Sequence, residues 1–166
     1  MTFGHIGIAV FVVGITLTSI YSTEKDLRLE AGQTYSLGGY DFTFKGATHL
    51  QGPNYQGDRG EVLITREGKE IAVLHPEKPN YKTGMPMTEA GIDAGLTRDL
   101  FVALGEPLGE AGAWSVRLYH KPYIRWIWLG ALIMGFGGLL SASDKRYRLL
   151  ARRAQRAVVE EGEARA

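Results

Sequence analysis

FGHIGIAVFVVGITLTSIYSTEKD, residues 3–26, decides the fold. From Phe3 to Thr23 every residue is apolar, small or hydroxyl-bearing except His5. At 1.5 Å per residue the run from Phe3 to Ser22 makes a helix of ~30 Å, enough to cross a bilayer. A signal peptide is the rival reading. The run lacks the basic segment that such peptides begin with, and no small-x-small cleavage site precedes Glu24. A second run, Trp126 to Ser143, is equally free of charge. Two membrane-spanning helices are therefore expected.

Working outward, the composition fits that division. The chain has 166 residues, 45% of them hydrophobic, and they are concentrated rather than spread as in one soluble domain. The absence of cysteine excludes a disulfide framework, thiolate zinc and a redox pair. The net charge of +1 conceals a local excess: Lys145, Arg146, Arg148, Arg152, Arg153 and Arg156 all follow the second run, whereas the residues after the first carry mixed signs. The positive tail is the cytoplasmic candidate, which puts both termini inside and the intervening segment outside. Tyr21, Tyr123, Trp126 and Trp128 then mark the outer interface. KRYRLLARRAQRAVV reads either as a basic amphipathic helix on anionic lipid or as a solvated tail of stop-transfer charges.

The segment between the runs has the length of a small domain and reads as strands. In YDFTFK, Tyr40, Phe42 and Phe44 alternate with polar residues; in WSVRLYHK, Trp114, Val116 and Leu118 do the same. EVLITREGKEIAVL reads as a hairpin, Glu61 to Thr65 and Glu70 to Leu74, turning at Gly68. With TYSLG and DLFVALG this gives six or seven short strands, an antiparallel barrel or sandwich. MPMTEAGIDAG is the exception, read as a short helical turn capped by Thr88 and ending at Gly95. The expected class is thus a membrane protein of α + β type, two transmembrane helices flanking a small antiparallel β-barrel or sandwich that is extracytoplasmic. Its divisions are residues 1–22, 23–122, 123–143 and 144–166.

Chemistry-bearing motifs are sparse. The chain has no phosphate loop, nucleophile elbow or pair of histidines at ligand spacing, and no catalytic residue is assigned. His75, Glu77, Lys78, Glu89, Asp93, Arg98 and Asp99 form the most polar stretch, read either as a convergent site or as solvated charges. His49 and His75 read as surface or capping residues, and His120 as an interfacial one.

LHPEKPNY, GMPMTEAGIDAGLTRDLFVALGEPL and GAWSVRLYHKPYIRWIWLGALIMGFGGLLSASDKRYR together resemble the C-terminal part of the haem lyase subunit of the multi-component cytochrome c maturation system, the CcmF/NrfE family. The resemblance covers nearly the whole chain. It implies a polytopic inner-membrane protein that takes haem from a periplasmic haem chaperone and helps attach it to apocytochrome c, working with thiol-handling maturation subunits and with no nucleic acid. The family's tryptophan-rich WWD segment and many of its spans have no counterpart here, so the chain is expected to be a piece of the lyase, inactive alone and dependent on the remaining haem lyase helices. Its periplasmic haem histidines cannot be carried over. His5, in GHIGIAVF, matches the family's second transmembrane histidine, which looks like an axial ligand of haem b iron.

An ionisable residue inside a span is by default a functional candidate, and imidazole is a good iron ligand. At 100° per residue Ala9, Val12 and Thr16 share the face of His5, while Gly7, Gly14 and Thr18 lie nearly opposite. The bland alternative leaves His5 in the headgroup region binding nothing. His120 belongs to the other end of the spans, a hydrocarbon thickness of ~30 Å from His5, so the second axial ligand must come from outside this chain. Ala131, Gly135, Gly138 and Ala142 share a face suited to close contact with a further helix; pairing of the two spans with each other is the simpler alternative.

Overall fold

The computed structural model describes residues 2–81, 84, 87–109 and 112–143. The basic tail and Met85 lie outside the described residues. The elements run α1 (Thr2–Tyr21), β1 (Thr23–Leu29), β2 (Thr34–Leu37), β3 (Tyr40–Gln51), β4 (Tyr55–Arg66), β5 (Lys69–Leu74), β6 (Glu77–Tyr81), β7 (Gly91–Ala94), β8 (Arg98–Leu108), β9 (Ala113–Pro122) and α2 (Ile124–Ser143). They form two compact units. One contains the helix pair up to Ile15 and from Trp126; the other runs from Thr16 to Arg125 and holds all the strands.

The strands stack as two antiparallel sheets, a sandwich. One has the order β1-β9-β8-β7; the other has β2-β3-β4-β5, with β6 on the first half of β4. The alternation seen in the sequence sets which side chains face inward. Phe42, Phe44, Val62, Ile64, Leu100, Val102, Leu104, Val116 and Leu118 are all fully buried between the sheets. Each such side chain contributes roughly 1.5–3 kcal/mol relative to exposure. Register shifts between Phe44 and Gly46, where Gly46 takes φ of +119°, so the long β3–β4 hairpin bends at a bulge that a side chain would oppose. The β4–β5 turn is the two residues Glu67 and Gly68, both with positive φ, the form that matches strand twist.

Two expectations change. The described residues hold nine strands rather than six or seven, because β1 and β6 are charge-rich: Asp26 faces Arg117 and Asp58 faces Lys78 across the ladders. No helical turn forms from Thr88 to Gly95. Glu89 exchanges backbone hydrogen bonds with Glu77 at 2.7 and 2.8 Å, and Gly91–Ala94 pairs with β8. The two glycines serve strand packing instead. A Cβ on Gly91 would stand 3.0 Å from that of Leu74, and one on Gly95 would stand 2.9 Å from the Arg98 carbonyl.

The helices are each long and apolar enough to cross a membrane. They pair with each other, through glycines spaced seven apart: Gly7 and Gly14 on α1, Gly130 and Gly137 on α2. A Cβ on Gly130 would lie 2.5 Å from the Phe11 nitrogen and 2.7 Å from the Gly7 oxygen. Phe3 and Phe136 add an edge-to-face contact at 5.9 Å. Gly135 and Gly138, on the face read as suited to a further helix, have nothing within 4 Å of such a Cβ among the described residues.

Candidate functional site

His5 lies in the first turn of α1 and is exposed, as are Ala9, Val12 and Thr16 on its face. The reason is the seven-residue glycine stripe. Because Gly7 and Gly14 are buried against α2, helical periodicity turns the His5 face away from that partner. An imidazole bordered by alanine and valine suits a flat, largely apolar cofactor, and it offers one donor only. Among the described residues no three His, Asp or Glu side chains group as a metal site.

A second constellation stands at the end of the sandwich from which the helices leave. Tyr40, the first residue of β3, is buried, and its phenolic oxygen accepts hydrogen bonds from Arg66 and Arg98, each at 3.2 Å. Both guanidinium carbons also lie 5.2 Å from its ring centre. Arg98 pairs with Asp93 at 2.5 Å. Burial pulls the Arg98 pKa down, but the bonds to Tyr40 and Asp93 outweigh it and leave it above the ordinary value. His120 completes the group, its ring 5.8 Å from that of Tyr40. Burial, and then the charge of Arg98, lower its pKa. Gly38, at φ of +61°, lets the β2–β3 turn pass over this ring; a Cβ there would come 2.6 Å from it.

Next to this group Asp99 is 7% exposed and accepts from the Gly95 amide and from Arg125 Nε, both at 3.1 Å. The Tyr123 amide donates to Thr97 at 2.9 Å, and Thr18 Oγ1 donates to the Pro122 carbonyl at 2.9 Å. Tyr123 itself takes φ of +56°, a left-handed conformation that costs a non-glycine residue roughly 1–2 kcal/mol and turns β9 into α2. The constellation holds no nucleophile and base in reach of each other. What it does is brace: it ties Thr18, Tyr123 and Arg125 to the strands.

The polar stretch noted in the sequence therefore divides. Asp93, Arg98 and Asp99 come together, whereas Glu77 pairs with Arg59 at 3.4 Å, Lys78 with Glu106, and His75 lies 3.9 Å from Glu61. His49 meets Asp58 at 3.3 Å on the surface. Tyr40 was read only as a strand residue, and Arg66 and Arg125 escaped notice, since nothing local marks them. A groove of about 460 Å³ runs across the β1-β9-β8-β7 sheet, where Ala103 and Gly105 leave room beside Ser115, Arg117, Lys78 and Thr88.

Comparison with known proteins gives a consistent result. Residues 20–122 match the family described as the CcmF C-terminal beta-sandwich. The chain is 59% identical over 150 residues to the cytochrome c-type biogenesis protein CcmF of Pseudomonas aeruginosa, covering 90% of this chain and 23% of that protein. It is 50% identical to CcmF of Escherichia coli strain K12, covering 89% and 23%, and 34% identical to NrfE of Haemophilus influenzae, covering 88% and 23%. The chain thus spans about a quarter of the length of these relatives. The fold is also that of a solved structure, "Cytochrome c Heme Lyase CcmF", with a TM-score of 0.66 at 20% identity, covering 82% of this chain and 23% of that one.

Proposed function

The chain belongs to the CcmF family of cytochrome c biogenesis proteins, and from that premise we propose that it acts as a membrane-embedded part of a haem lyase, contributing His5 as one axial ligand of a transmembrane b haem. The observation that carries the reading is the exposed His5 face, held opposite the glycine stripe that α2 occupies. The bound group supplies iron redox chemistry. This chain's part is to hold one imidazole at fixed height on a rigid helix, and the second ligand comes from lyase helices outside it. α1 and α2 lie in the inner membrane, the sandwich in the periplasm and both termini in the cytoplasm. There the sandwich meets the periplasmic haem chaperone, apocytochrome c and thiol-handling maturation subunits.

The test uses the lyase reconstituted with the helices absent here. His5→Ala is expected to abolish or strongly weaken the low-spin b-type spectrum, whereas His49→Ala and His75→Ala leave it intact. Full haem retention in the His5 variant ends the ligand assignment. A second reading, in which the sandwich is a docking module without direct haem contact, draws support from Met87, 59% exposed, and from the groove beside Thr88.

A further inference from the structure

Two guanidinium groups from opposite sheets converge on one phenol. Arg66 Nη1 from β4 and Arg98 Nε from β8 each donate to Tyr40 Oη at 3.2 Å. An oxygen with both lone pairs so engaged turns its own hydrogen away from the two cations. Tyr40 is 6% exposed, and among the described residues that hydrogen has no acceptor. A donor this deeply buried is costly to leave unmade, and native folds rarely do so.

Register shows which charges share the corner. Tyr40 and Arg66 continue the inward rows of Phe42 and Ile64, and Arg98 and His120 those of Leu100 and Leu118. Asp93 joins them opposite Leu100, and Lys69 opposite Arg66. Asp41, Thr65 and Glu70 form the adjoining row on the other face, and Glu67 is in the turn. Asp99 also faces away, opposite Lys121, and accepts from Arg125. Among the described residues Asp93 is therefore the inward carboxylate, and Arg98 takes it, donating to its carbonyl at 3.2 Å and pairing with its side chain. Arg66 is exposed, bonds Tyr40 and pairs with no carboxylate among the described residues.

The corner thus presents a hydroxyl hydrogen without an acceptor beside the remaining N–H groups of a guanidinium without a counter-ion. Both call for an acceptor that carries charge. A carboxylate fits: it is planar, offers two oxygens, and its single charge answers the guanidinium that Asp93 leaves unpaired. We propose that Tyr40, Arg66 and Arg98 form a carboxylate-binding site, in which one oxygen of the bound acid takes the Tyr40 hydroxyl hydrogen and the other the open edge of Arg66. Arg98, locked by Asp93, holds the phenol in place from behind.

The test uses the full chain in detergent, with sodium acetate replacing sodium chloride at constant ionic strength. Phenylglyoxal modifies the arginines, and peptide mass spectrometry reads each position. Arg28, exposed and paired with Glu30 at 3.3 Å, is the internal reference. Acetate is expected to slow modification of Arg66 by about threefold or more along a saturating curve, and to leave Arg28 unchanged. Tyr40→Phe keeps the ring and is expected to lose most of that protection with its near-ultraviolet circular dichroism unchanged; if it does not fold, Arg66 against Arg28 in the parent decides. Acetyl-alanyl-alanine, set against its amide, separates two sources of the acid: greater potency than acetate assigns it to a polypeptide end, equal potency to a free small acid. Equal effects on Arg66 and Arg28, or none on either, overturn the site. Protection by phosphate where acetate gives none overturns the carboxylate class, and full protection in folded Tyr40→Phe overturns the part given to the hydroxyl.

Discussion

His120 shows how one side chain can report on a whole corner. Its ring is packed against Tyr40 and under Gly38, and burial first, then Arg98, hold its pKa below the usual 6.5. The sign follows directly. Between its folded-state pKa and 6.5 the unfolded chain binds a proton that the folded chain refuses, so this corner's stability is complete above that window and declines as pH falls through it. The melting temperature in detergent is expected to fall on acidification below about pH 6.5, and His120→Gln to remove part of that slope. An unchanged slope in the variant assigns the effect to other groups. Residues at this scale were unevenly legible. His5 stood out because charge-capable groups are rare in apolar runs. Tyr40 and Arg98 lie 58 residues apart, and no period or motif joins them; only the stacking of two sheets does.

At the scale of elements, period was the signal, and it failed where charge masked it. β3 and β9 were readable because apolar residues alternate with polar ones, and β8 as a short apolar run from Leu100 to Leu104. β1 was not, since TEKDLRL buries only Leu29 and partly Leu27 and spends its other positions on surface charge. The helices were readable as apolar runs and Gly7 with Gly14 as one face of α1, whereas Gly130 and Gly137 on α2 were not singled out, because several small-residue stripes existed and the sequence does not rank them. The seven-residue spacing of Gly7 and Gly14 opposite Gly130 and Gly137 keeps one seam in register along both helices. Gly130→Leu forces a side chain onto the backbone of α1, where nothing can yield, at a cost of about 1–3 kcal/mol. Unfolding by dodecyl sulfate titration should start earlier in this variant, while Gly135→Leu should match the parent. Equal midpoints for the two variants would show that the seam carries no stability.

For the whole molecule, the first and last strands of the sandwich are neighbours: β1 pairs with β9 from Thr23 opposite His120 to Leu29 opposite Trp114. Both helix connections therefore leave from one end, and two helices around an antiparallel sandwich were legible in the sequence because the two apolar runs bracket every strand. Orientation rests on charge asymmetry and gives its own prediction. Trypsin added to intact spheroplasts is expected to cut at Arg66 or Lys69, exposed beside the β4–β5 turn, and to spare Arg152 to Arg165. Cleavage of the tail under those conditions would reverse the orientation. The pairing of β1 with β9 also has a mechanical side. A force that parts α1 from α2 at this end does not shear the ladder; it peels it, loading Thr18 with Pro122 and then Thr23 with His120 before any later pair. The β1–β9 ladder is thus a clip that yields to prying pair by pair. Any partner able to wedge between the helix ends would meet its least resistance there.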